Sequence, residues 1–143
     1  MKKHVIRFAL AVAVCLWLTG TLGYSQSPSS LLANIPFDFH VGKAMLPAGA
    51  YIVNRPANML SHILKIQNTT TGKSALISTL PGSSANPSNQ AKLIFNRYGA
   101  DYFLSEVCNP YNWATYQLPK SKTEKEIARN ADGIKTEVVA RLR

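Results

Sequence analysis

Residues able to do chemistry are sparse in this 143-residue chain, and their spacing argues against most reactions. A metal needs imidazoles, thiolates or carboxylates gathered in one place. Asp38 and His40 stand two apart, on one face of any strand that holds them, and a third ligand would have to come from His62 through strand pairing. Such residues ordinarily face solvent, so no metal is expected. Gly72-Lys73-Ser74 copies the tail of a phosphate-binding loop, but Gln67 stands where that motif needs its first glycine. The triplet reads as a hairpin turn. There is no Gly-x-Ser-x-Gly elbow, and Cys108 precedes Asn109-Pro110 with no histidine close in sequence. Asp38, Asp101 and Glu106 are the only carboxylates before residue 120. They are too few and too scattered for the paired acids of glycoside hydrolysis. No catalytic residue and no cofactor are assigned, and an enzyme is not expected.

Aromatic placement is the most uneven feature. Of ten aromatic residues beyond position 25, seven fall between 95 and 116. Alternation assigns Phe95 and Phe103 to a core. Tyr111 and Trp113 instead sit in an Asn/Pro-bearing loop together with Asn109 and Asn112. Rings flanked by amide side chains can stack on sugar faces or on a partner protein, so these four residues form the candidate surface-binding set. The competing reading has Trp113 closing one end of the fold, because large apolar surface is seldom left exposed.

The elements that must position these residues are short strands. Lys2, Lys3 and Arg7 precede an apolar run over 8–18 and then small residues, the order of a cleavable secretory signal ending near residue 25. Eleven residues at about 1.5 Å each cannot cross roughly 30 Å of hydrocarbon. Removal of 1–25 would leave 118 residues, Cys108 as the one thiol, and a net charge of +6 in place of +9. A single thiol cannot form an internal disulfide, so stability has to come from a packed core. Residues 26–34 read as a flexible lead into one domain over 35–143.

Strands are expected at 35–41, 50–55, 62–68, 74–80, 91–98, 102–107 and 115–118, because apolar residues alternate there between turn residues. Ser121-Lys122-Thr123-Glu124 fits a capping box and opens a helix near 122–130. Residues 134–142 alternate like a strand and also carry helical spacing; β-branched Thr136, Val138 and Val139 favour the strand. The expected fold is all-β and mainly antiparallel, a small sandwich or barrel of about six to eight strands with one short C-terminal helix.

Ile35-Pro36-Phe37-Asp38-Phe39-His40-Val41-Gly42, Leu46-Pro47-Ala48-Gly49-Ala50-Tyr51, Phe95-Asn96-Arg97-Tyr98-Gly99, Tyr102-Phe103-Leu104 and Leu118-Pro119-Lys120-Ser121-Lys122 occur in order along the chain. Together they resemble a family of small exported bacterial proteins of unknown function. The resemblance implies export and an all-β body and supplies no catalytic residues. The expectation is therefore an exported, periplasmic or extracellular, non-enzymatic binding or structural protein of the bacterial envelope. Its partners would be a polysaccharide, an envelope component or another protein. Nucleic acid is not expected, since the C-terminal charges mix signs along a helix face, and no transmembrane anchor would remain after cleavage. A carrier of a small apolar ligand inside a barrel is the alternative, with a hydrolase behind it.

Overall fold

The computed structural model describes residues 30–56, 62–82, 89–110 and 114–143. The expected signal at 1–25 lies outside the described residues. Eleven strands form: β1 (Leu31–Ile35), β2 (Phe39–Val41), β3 (Ala44–Leu46), β4 (Gly49–Asn54), β5 (Ile63–Asn68), β6 (Ser74–Ser78), β7 (Leu80–Gly82), β8 (Lys92–Tyr98), β9 (Asp101–Asn109), β10 (Ala114–Gln117) and β11 (Ile134–Leu142). One helix, α1 (Lys122–Ile127), precedes β11. The all-β expectation holds, and residues 134–142 are strand.

The strands make a barrel that closes at one end. β1, β4, β5, β6 continued by β7, β10, β9, β8 and β11 succeed one another around a ring, each antiparallel to the next, and β11 returns to β1. β10 is short and fills its place in the ring at one end only. The β2–β3 hairpin fills the same place at the other end, with β2 parallel to β9 at His40 and Phe103. A bulge in the β8–β9 ladder marks the change of partner, since Ile94 faces Glu106 and Phe95 faces Leu104, leaving Ser105 between. Ser105 Oγ donates to the Ile94 carbonyl (3.1 Å), while the Ser105 carbonyl accepts from the Leu118 N–H (2.8 Å). Among the described residues, no ladder joins β3 to β6, so the ring is left unpaired there.

Two expectations need correction. Residues 31–34 are not a flexible lead: they belong to β1, held between β4 and β11, with Leu31, Ala33 and Ile35 buried. Their alternation was short and lay beside a Ser/Pro/Gln stretch, yet two flanking strands complete their hydrogen bonds. The expected single strand at 35–41 is broken at 36–38. Pro36 has no N–H to give a ladder, and Asp38 Oδ1 instead accepts the Ala48 N–H (2.8 Å), fixing the turn before β4.

Alternation decides which side chains fill the barrel. Tyr51 and Val53 of β4, Leu64 and Ile66 of β5, and Leu93 and Phe95 of β8 are buried, while their neighbours are more exposed. Turns at 68–73 and 98–101 sit together with α1 at one end, here called the turn end. Asn68 caps the first by accepting the Thr70 and Thr71 N–H groups (both 2.9 Å). Gly42, between β2 and β3, has φ +60°, and a Cβ there would stand 2.9 Å from Ile77 Cδ1. Only glycine fits that close approach without strain.

Candidate functional site

Among the described residues, side chains pack the centre of the barrel. Phe39 meets Phe95 edge-on (5.4 Å between ring centres) and Tyr51 edge-on (5.1 Å); Phe37 meets Phe95 edge-on (5.1 Å) and stacks on Tyr102 (3.8 Å). The two ends of the barrel differ in charge.

The register places Pro56 and His62, Gly82 and Asn89, and Pro110 and Ala114 at the end opposite the turns, where the β4–β5, β7–β8 and β9–β10 connections begin and return. The charged side chains of this connection end share one sign. Arg55 at the end of β4, His62 before β5, and Arg141 and Arg143 at the end of β11 all lie there. None of the chain's seven carboxylate side chains does. Asp38, Asp101, Glu124, Glu126 and Asp132 belong to the turn end, and Glu106 and Glu137 lie on the barrel wall. The wall carboxylates are neutralised locally, Glu106 by Lys135 (2.6 Å) and Glu137 by Lys92 (2.8 Å). The hydrogen bond from Lys92 to Glu137 raises that lysine's pKa, with its slight burial acting the other way.

Arg55 reaches across this end. Its guanidinium donates to the Tyr116 hydroxyl (2.8 Å) and lies 5.6 Å from the centre of that ring. Arg141 and Arg143 remain exposed on the same side of β11, because the alternate residues Ala140 and Leu142 turn toward the core.

The sequence-derived binding set divides. Tyr111, Asn112 and Trp113 lie outside the described residues. Asn109 pairs with Ala114 where β9 passes to β10, at the connection end. The residue is 8% exposed, so its side chain is largely withdrawn from solvent. It follows Cys108, the last β9 residue paired to β8, and pairs with β10 alone.

The other candidates are kept apart. Asp38 holds the turn before β4, His40 stacks on Phe103 (4.6 Å) near the turn end, and His62 is at the connection end. Among the described residues, no group of three His, Cys, Asp or Glu side chains could hold a metal. Cys108 is 5% exposed and receives a hydrogen bond from Thr115 Oγ1 (3.9 Å). Burial pushes its thiol up, against smaller opposing effects of Thr115 and Lys92. A nucleophile needs the thiolate, so this cysteine is poorly placed to act as one. Alkylation by iodoacetamide near neutral pH should be at least ~100-fold slower in the folded protein than in urea, since access requires opening of a stable fold. Equal rates, followed by mass spectrometry, would contradict this.

A polar cluster missed by the sequence reading lies at the turn end. Glu124, the fourth residue of the capping box, is 3% exposed. Its backbone N–H donates to Ser121 Oγ (3.1 Å), but its carboxylate turns to β8 and accepts from Asn96 Nδ2 (2.8 Å) and the Tyr98 hydroxyl (3.4 Å). Beside it a cavity of about 250 Å³ is lined by Asn96, Ser105, Gln117, Lys120 and the Glu106–Lys135 pair. Only the Ser-x-x-Glu spacing signalled any of this. Comparisons of the chain with protein-family models, with curated proteins and with solved structures gave no match.

Proposed function

We propose that this chain is an exported, non-enzymatic binding protein of the bacterial envelope, and that the connection end of its barrel engages an anionic polysaccharide. One observation carries the reading: that end bears Arg55, His62, Arg141 and Arg143, and all seven carboxylate side chains lie elsewhere. A region of one sign attracts a polyanion and concentrates it locally. The β9–β10 connection with Tyr111, Asn112 and Trp113 departs from the same end, between Asn109 and Ala114. Aromatic faces beside an amide supply stacking on sugar rings, and arginines supply forked hydrogen bonds to carboxylate or sulfate groups. The filled interior favours a surface reading over a carrier. Export rests on the basic, apolar and small-residue order of the first 25 residues.

Affinity electrophoresis in polygalacturonate and in neutral dextran tests the proposal. Migration should be retarded by the polyanion alone, and the retardation should fall steeply as salt rises from about 50 to about 500 mM. Trp113→Ala and the pair Arg141→Glu, Arg143→Glu should each weaken binding about tenfold, the arginine change also flattening the salt dependence. Salt-independent retardation, equal retardation by dextran, or wild-type binding by both variants would reject it.

A further inference from the structure

We infer that two copies of this chain associate through β6, whose free edge pairs antiparallel with the β6 edge of the partner. The inference is independent of the connection end and its ligand.

β6 is bonded to β5 on one side only. On its other side the β2–β3 hairpin comes close without a ladder, and a groove of about 490 Å³ lies between, walled by Val41, Ala44, Ala75, Ile77 and Pro119. An unpaired edge of this kind is a template for another strand, and proteins usually blunt it with lysine, proline or a bulge. Residues 74–78 carry none of these: the segment is Ser-Ala-Leu-Ile-Ser, uncharged and regularly paired to β5. Leu76 points outward and is 54% exposed, whereas Ala75 and Ile77 turn in against the core.

What selects a second copy as the occupant is the order of those five residues. Read backwards the segment is Ser-Ile-Leu-Ala-Ser, a near palindrome. A two-fold axis at Leu76 therefore sets Ser74 opposite the partner's Ser78, Ala75 opposite the partner's Ile77, and Leu76 opposite the partner's Leu76. Every cross-strand pair then joins like with like, small polar to small polar and apolar to apolar, the pairing that stabilises an antiparallel ladder. Such an interface is isologous and closes at two copies. The chain is strongly basic, yet the contact strip is neutral, and the flanking Lys73 falls opposite the partner's Thr79 and not opposite a lysine. The two connection ends would point in opposite directions, leaving both free.

Sedimentation velocity of the full chain, together with oxidation of cysteine variants made in a Cys15→Ser, Cys108→Ser background, tests this. A concentration-dependent dimer is expected between about 1 and 100 μM. Leu76→Cys should yield a covalent dimer under mild oxidation, since the two sulfurs meet on the axis. Ser74→Cys should not, because the two copies of that position lie about 13 Å apart along the strands. Leu76→Lys should shift the protein to monomer with unchanged far-UV circular dichroism. A monomer throughout the concentration range would overturn the inference. So would a dimer that cross-links as readily through Met45→Cys, an exposed apolar position on another strand (63%), or one that survives Leu76→Lys.

Discussion

Replacement of Phe95 by alanine should lower the unfolding free energy by about 3–5 kcal/mol, the range for truncating a fully buried phenylalanine. Phe95 is wholly inaccessible and lies under the edges of Phe37 and Phe39. The ring therefore ties β8 to β2 and to the segment between β1 and β2. Its neighbours cannot collapse into the space, since Phe39 is also held by Tyr51 and Phe37 by Tyr102. A cavity term adds to the lost transfer energy in that situation. For a domain with roughly 5–15 kcal/mol in total, the loss would remove a large share of the stability. The melting temperature should fall by about 10–20 °C. Urea unfolding should show a lower midpoint with an unchanged slope. Ile134→Ala is the matched control: that residue is 66% exposed, so its loss should change stability by no more than about 0.5 kcal/mol. Similar midpoints for the two variants would show that the barrel does not depend on its aromatic centre.

That the core would contain Phe95 was legible from alternation alone, as were the strands around it. Tyr51 and Val53, and Leu64 and Ile66, each sit on the face that period two assigned them. The turns at 69–73 and 99–101 were legible because Gly72 and Gly99 adopt positive φ, a conformation other residues resist. What escaped depends on pairing between distant segments. β3 and β7 are three residues each, too short to show a period. The bulge at Ser105 is invisible in sequence, because the side chains on either side still look like a regular strand. It nevertheless lets one strand pair with β10 over Glu106–Asn109 and with β2 at Phe103. The single-signed connection end was hidden for the same reason. Arg55 and Arg141 are 86 positions apart, and only closure of the ring brings the ends of β4 and β11 to the same side.

The capping box shows how a correct local reading can still miss the larger role of a residue, and it sets up a second large effect. Ser121 caps α1 as its spacing requires. In the usual arrangement the glutamate turns back to the cap. Here the Glu124 carboxylate is committed to Asn96 and Tyr98, so it fastens the helix to β8. Gly133 packs closely on the same tyrosine, since a Cβ there would stand 2.7 Å from Tyr98 Cε1. Glu124→Ala should therefore strand an amide and a hydroxyl that are partly or fully withdrawn from water. Leaving such donors without an acceptor costs about 1–3 kcal/mol. Glu124→Gln retains a carbonyl acceptor of the same reach and should recover part of the loss. A defect of the cap alone would behave differently. Ser121→Ala, which removes the acceptor for the Glu124 N–H but spares the β8 contacts, should cost only about 1 kcal/mol. Hydrogen exchange distinguishes the two: Glu124→Ala should raise exchange in α1 and at the Asn96–Tyr98 end of β8 together, whereas Ser121→Ala should affect the helix alone. If Glu124→Ala left β8 exchange unchanged, the carboxylate would not be the link between helix and barrel.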